Sequence, residues 1–229
     1  MSKHIGIVGG SAEGAALCYR TICAEAEATM GEHNHPEVSM HTYALGEYMR
    51  HVDRDDWDGV AYLMSRSATK LADIGAEFAI CPDNTFHQAF DKAAEASPIP
   101  WLHIAGEVAR EAVEKGYRTL GVTGTAYLMA GPVYLQHLGQ AGLEAVFPDE
   151  ADREVINTAI FKRLVKGEFN DDDRAAFNAI FAKLRDAGCD AVVMGCTEIP
   201  ILMDGVETPL PTLDSTRILS RAALRHSEE

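Results

Sequence analysis

The sequence predicts an α/β fold built from two pseudo-symmetric halves, each a mostly parallel sheet flanked by helices. Three observations predict it. Short apolar runs alternate with helical patterns along the whole chain, the rhythm of parallel strands joined by crossover helices. Two of these runs, Ile5 to Gly10 and Leu120 to Gly124, both end in glycine followed by a hydroxyl residue, Ser11 or Thr125, and then a helical stretch. Two more, residues 76–81 and 189–194, both run into a polar turn that carries a threonine, Pro82-Asp83-Asn84-Thr85-Phe86-His87 in one case and Gly195-Cys196-Thr197-Glu198-Ile199-Pro200 in the other. The offsets, about 115 residues for the early pair and about 113 for the later one, agree too well for a chance likeness of two strands. The expected division is 1–99 plus 208–229 for the N-terminal α/β domain and 100–207 for the C-terminal one, with the strand-end loops of both lining a shared cleft.

The elements follow in order. His4 to Val8 is a strand, and Gly9-Gly10-Ser11-Ala12-Glu13-Gly14 leads from it into a helical stretch through Ile22. That spacing is not GxGxxG and no acidic residue closes the next strand as a dinucleotide site requires, so a nicotinamide or flavin is excluded. A helix start there can bind a small anion such as an α-carboxylate through its amides, or can be a tight turn with no ligand. His33 and His35 lie in a polar loop without ligand partners at metal spacing and read as surface residues. Residues 38–45 form a second strand, 56–75 an amphipathic helix, and 78–81 a third strand. A helix runs from Phe86 to about Ala96, and the Pro-rich 97–100 is the expected crossing between halves before a strand over 101–104.

The second half alternates in the same way: helix 107–115, strand 119–122, helix 126–140, strand 144–147, helix 152–166, helix 171–187 and the strand before Cys196. Asp171-Asp172-Asp173 reads as the N-terminal cap of its helix. A last strand near 209–212 and a helix over 215–225 return the chain toward the first half.

Composition narrows the function. The chain has 229 residues, 47% of them hydrophobic, which is ample for a sizeable core. A formal charge of −15 argues against nucleic acid or an anionic membrane as partner. No terminal stretch is long and apolar enough to span a membrane or to serve as a secretory signal, and the expected location is the cytoplasm. Five cysteines, an odd number without CxxC spacing, fit reduced thiols better than a disulfide framework.

The run Ala191-Val192-Val193-Met194 has the length and branching of an interior strand, and Gly195 lets the backbone turn just before a thiol. Cys196 thus stands at the carboxyl end of a strand, where open α/β sheets build their sites. Its alternative reading is a buried apolar filler. Thr197 carries a hydroxyl suited to capping a helix or holding a ligand carboxylate.

These paired turns, Asp83-Asn84-Thr85 and Gly195-Cys196-Thr197-Glu198, resemble the signature of the aspartate/glutamate racemase family. Gly9-Gly10, the Trp101-Leu102-His103-Ile104 strand, the Gly121 to Thr125 turn and the Phe161 to Phe169 helix end fall in family order, so the resemblance covers nearly the whole chain. It implies two Rossmann-like domains facing each other, commonly as a homodimer, and an amino-acid substrate bound between them. No cofactor is implied: neither pyridoxal phosphate, nor metal, nor nucleotide. In that family two thiols on opposite faces of the α-carbon remove and supply its proton, a geometry that inversion of a near-planar carbanion demands.

Cys196 matches the second thiol. At the position of the first stands Asp83, with Cys81 as the nearest thiol two residues earlier. The resemblance makes Asp83 and Cys196 the catalytic pair, and Gly10, Ser11, Asn84, Thr85, Thr125 and Thr197 the substrate contacts, each of which also has a plain role as a turn or cap residue. A cation for an acidic side chain is less evident: the loop after the second strand offers none before Arg50, and Lys162, Arg163 and Lys166 are the remaining candidates. Two other classes fit the residues: a one-thiol decarboxylase or lyase acting on a small carboxylic acid, and a non-catalytic amino-acid-binding protein.

Overall fold

The computed structural model describes residues 2–229, which divide into two compact units, one up to Ile104 together with Thr216–Glu229 and one over Ala105–Ser215. The first unit opens with β1 (Ile5–Gly9), α1 (Ala12–Met30), β2 (Val38–Thr42), α2 (Leu45–Val52), α3 (Trp57–Asp73) and β3 (Phe78–Ile80). A 3-10 turn over Thr85–Ala89 then runs into α4 (Phe90–Glu95), followed by β4 (Trp101–Leu102). The chain passes into the second unit along α5 (Ile104–Glu114) and continues with β5 (Thr119–Gly124), α6 (Ala126–Ala130), α7 (Val133–Gln140), β6 (Glu144–Val146) and α8 (Glu150–Lys162). A 3-10 turn over Leu164–Lys166 precedes α9 (Asp171–Asp186), β7 (Ala191–Gly195), α10 (Glu198–Leu202), β8 (Thr212–Asp214) and α11 (Ser215–Glu228).

The two sheets have the same plan. The first runs β2-β1-β3-β4 and the second β6-β5-β7-β8, with every strand pair parallel. Under this correspondence β1 matches β5 and β3 matches β7, so the Asp83 turn and the Cys196 turn leave equivalent strands. The expectation of two α/β halves with parallel sheets is met.

Each sheet is apolar on both faces because helices cover both, and the central strands β1 and β7 are buried along their whole length. In the first unit Ile5, Ile7, Phe78 and Ile80 pack with Cys18 and Ile22 of α1 and with Leu219 and Ala223 of α11. In the second, Val192 and Met194 pack with Ile156 and Ile160 of α8 and with Phe177, Ile180, Phe181 and Leu184 of α9. Burying each such aliphatic or aromatic side chain contributes about 1.5–3 kcal/mol, which holds the strand ends where their turns begin.

Several boundaries differ from the sequence reading. Helix α1 continues past Ile22 to Met30. The expected helix over 126–140 is two helices, because Gly131 and Pro132 interrupt it and Pro132 has no amide hydrogen to donate. The cap of α9 is Asn170, whose side chain accepts from the Asp173 amide at 2.8 Å, and the acidic run occupies the first turn instead. The last strand lies at Thr212–Asp214 and pairs with β7, so the chain leaves the second sheet only afterwards, along α11.

Candidate active site

The first half-site grows from the ends of β1 and β3. Ser11 caps α1 by accepting a hydrogen bond from the Gly14 amide at 3.1 Å. Gly10 is glycine for a packing reason: a Cβ there would collide with the Phe86 ring and lie 2.8 Å from Asp83 Oδ2. Phe86 in turn stacks on buried Tyr48, with ring centroids 4.2 Å apart. The turn at the end of β3 is therefore wedged against the end of β1 by an aromatic pair.

Asp83 itself organises this turn. Its Oδ1 accepts from the amides of Thr85 at 3.1 Å and Phe86 at 3.3 Å, so the carboxylate, and not Asn84, satisfies the opening donors of the 3-10 turn. Asn84 and Thr85 are buried beside it, whereas Asp83 is half-buried. His87 supports the same turn from behind. Its Nδ1 stands 2.8 Å from the Asp83 carbonyl and its Nε2 3.2 Å from the Ile104 amide. An amide can only donate, so Nε2 accepts, Nδ1 carries the hydrogen, and the buried ring is neutral. His87 lies within the Pro82 to His87 motif, but nothing in that sequence announces this supporting role. Cys81 is fully buried in the strand, and burial, reinforced by the charge of Asp83, pushes its thiol well above the ordinary range.

The second half-site grows from the ends of β5 and β7. Gly124 and Gly195 face each other across the two strands, and a Cβ on either would press into Leu128 and the neighbouring backbone. Thr125 caps α6 by accepting from the Leu128 amide at 3.2 Å. Cys196 is 9% exposed, and its Sγ donates to Glu198 Oε2 at 2.9 Å. Thr197 Oγ1 donates to the same oxygen at 2.9 Å, so this hydroxyl serves Glu198 and makes no cap to α10.

Glu198 is the residue that sequence reading missed. It is 2% exposed, no cationic side chain pairs with it among the described residues, and its Oε1 has no hydrogen-bond partner. A thiolate and a carboxylate at the Cys196 to Glu198 separation would repel by about 6 kcal/mol even at an effective dielectric of about 20.

The cation candidates sort themselves by partner. Arg163 is committed to Asp173 through two bonds of 2.7 and 2.6 Å, and this pairing holds the Asp173 carboxyl below the usual carboxylate range. Lys162 and Lys166 are exposed. Beside β2 a further cation comes from α3: Lys70 Nζ lies 2.9 Å from His41 Nε2 and 4.6 Å from the centre of the Tyr43 ring. Burial, and then the Lys70 charge, lowers the His41 pKa. Among the described residues no group of three or more His, Cys, Asp or Glu side chains is placed to hold a metal, and no helix is long and apolar enough to cross a membrane.

Comparison with known proteins places this architecture among relatives. The Asp/Glu/hydantoin racemase family matches residues 5–223. A broad-specificity amino-acid racemase, RacX of Bacillus subtilis strain 168, is 21% identical over 169 residues, 74% of this chain and 73% of that protein. Among solved structures, a candidate Asp/Glu racemase from Yersinia pestis is 30% identical with a TM-score of 0.90, covering 99% of this chain and all of that one. An aspartate racemase homologue from Pyrococcus horikoshii OT3 is 26% identical with a TM-score of 0.86, each chain covered in full.

Proposed function

Because the chain belongs to the Asp/Glu/hydantoin racemase family, we propose that it is a cofactor-independent amino-acid racemase in which Asp83 and Cys196 exchange the α-proton on opposite faces of the substrate. The observation that carries this reading is the equivalence of the two turns. Asp83 and Cys196 follow β3 and β7, strands that hold the same place in sheets of the same order, and each turn is followed by a threonine within two residues. A two-base inversion needs one acid and one base, and two equivalent turns supply one group each.

In one direction ionised Asp83 removes the α-proton and the Cys196 thiol delivers a proton to the other face; in the reverse direction the roles exchange. Amides of the turns after Gly10, Asp83 and Cys196, with the hydroxyls of Ser11, Thr85, Thr125 and Thr197 and the amide of Asn84, are the groups assigned to the substrate carboxylate and ammonium and to the enolate-like charge of the intermediate. Ser11 and Thr125 already cap helices, and each hydroxyl keeps its O–H and a second lone pair with which it can contact substrate. Because one of the two positions holds a carboxylate instead of a thiol, a second reading stands beside the first: Cys196 protonates a carbanion on one face after loss of carbon dioxide or another group from a small carboxylic acid.

The test is a screen of L- and D-amino acids in heavy water, read by loss of the α-proton signal and by chiral analysis of the product. A racemase replaces the α-proton by deuterium and produces both enantiomers. Release of carbon dioxide or an alkene without racemisation favours the second reading, and binding with neither outcome makes the protein a non-catalytic amino-acid binder.

A further inference from the structure

We propose that Ser215, backed by Tyr134, is a positioning residue that clamps the end of β7 and thereby fixes where Cys196 presents its sulfur. Its part in turnover rests on the racemase reading, whereas the placement of the sulfur does not. Ser215 is fully buried, and its Oγ donates to the Met194 carbonyl at 2.9 Å, two residues before the thiol. On the other side of the strand, the buried Thr123 hydroxyl donates to the Val193 carbonyl at 2.8 Å. Met194 pairs with Thr123 of β5 and with Asp214 of β8, so the two hydroxyls close on the last carbonyls of β7 from the ends of both neighbouring strands.

Tyr134 stands behind Ser215. Its phenol is hydrogen-bonded to the Ser215 side chain, and burial pushes its pKa upward, so it keeps its hydrogen and donates it to Oγ. The result is one directed chain, Tyr134 O–H to Ser215 O–H to the Met194 carbonyl, with every member buried. The same ring reaches Gly195, where a Cβ would lie 3.5 Å from Tyr134 Cε2 and 2.7 Å from the Thr123 carbonyl oxygen. Beyond the thiol, the Cys196 carbonyl accepts from the Ile199 amide at 3.1 Å, so the turn is held on its far side as well. A buried polar chain is costly unless it is complete, and when complete it selects one arrangement over its near alternatives. Apolar side chains would fill the same space without that directional demand. The chain therefore serves geometry: proton transfer at an α-carbon tolerates little error in where the sulfur stands, and a misplacement of about 1 Å can cost about 100-fold.

The test measures Cys196 directly, as the rate of its alkylation by iodoacetamide, read by mass spectrometry of its peptide. Tyr134→Phe removes only the phenol hydroxyl, Ser215→Ala removes the donor to Met194, and Ser215→Thr keeps it. Leu184→Ala is the control, a core truncation beside Gly121, three residues back along β5 from Gly124. Folding is checked by circular dichroism and a urea midpoint. Loosening the end of β7 should speed alkylation by about threefold or more in Tyr134→Phe and Ser215→Ala. It should also lower kcat for α-proton exchange about tenfold while KM stays within about twofold. Ser215→Thr should restore both. Leu184→Ala should lose more stability yet alkylate at the wild-type rate, which separates placement from stability. Wild-type alkylation in Tyr134→Phe and Ser215→Ala overturns the proposal, as does equal acceleration in Leu184→Ala. Should Ser215→Ala fail to fold, the isosteric Tyr134→Phe decides alone. Alkylation needs no turnover, so the two readings fail separately. Accelerated alkylation in a protein that exchanges the α-proton of no amino acid retains the clamp and removes the racemase, whereas exchange with unchanged alkylation does the reverse.

Discussion

The turns after β3 and β7 hang from equivalent strands yet hold their reactive groups in opposite ways. Asp83 is bound by backbone: two amides of its own turn fix one carboxylate oxygen, and a neutral His87 fixes its carbonyl. Cys196 is bound by a side chain, the buried carboxyl of Glu198. The first arrangement fixes the position of a carboxylate through backbone amides. The second sets a thiol against a buried carboxyl. The same fold therefore seats two different groups on turns of similar length, and the difference lies in one residue, Glu198, that has no counterpart of the same kind after Asp83.

The most direct way to break this comparison is to remove each group in turn. Cys196→Ser should remain folded and lose α-proton exchange by about a thousand-fold or more, within or beyond the usual acid–base range. Asp83→Asn keeps an Oδ1 that can accept from Thr85 and Phe86, so it should hold the turn, yet should lose racemisation to a similar extent. Near-wild-type exchange in either variant removes that residue from the pair. Asp83→Cys sharpens the contrast instead. A carboxyl and a thiol differ by about 4.6 units in ordinary proton affinity, so the wild type should show a higher KM for one enantiomer, with kcat/KM equal in both directions because the equilibrium constant is one. With a thiol on both sides the two KM values should converge, as progress curves from each enantiomer would show.

A smaller effect separates structure from chemistry. The Arg163 pairing depresses the Asp173 carboxyl in the folded state, so it contributes stability that is present above the unfolded value of about 4 and is lost as pH falls through the lower folded value. Asp173→Asn should cost about 2 kcal/mol in neutral urea melts, and the gap from wild type should close in strong acid. Smallest of all should be the effect on turnover of Cys81→Ala. That buried thiol is pushed well above the ordinary range, so exchange should stay within about twofold of wild type while stability falls by about 1 kcal/mol. Loss of turnover in a folded Cys81→Ala protein would return the first base to Cys81.

The alternation of strands and helices was legible because each buried strand is a short apolar run bounded by glycine or a polar turn, as at Ile5–Gly9 and Ala191–Gly195. The break at Gly131-Pro132 was not, since helical patterning continues on both sides of it. The exchange of roles at Asn170 hid in plain composition: three aspartates in a first turn look like a cap, but only the residue before them has the extended backbone that a cap requires. Within the site, the order of residues brought Asp83 and Cys196 into correspondence. It was silent on Glu198, because side chains two apart on a helix do not face each other and only the turn that opens α10 lets this pair meet. It was equally silent on Lys70, which reaches His41 from a helix 29 residues further on.

The shared strand order has one more consequence. Each of the turns 82–87 and 195–200 starts from the end of the third strand of its own sheet. Each is thus a cassette with a defined socket. Grafting the Cys196 cassette, its glutamate included, onto the end of β3 would test whether the thiol and the carboxyl beside it keep their contact on the other sheet, and the wedge of Gly10 against Phe86 marks the place where such a graft must be fitted first.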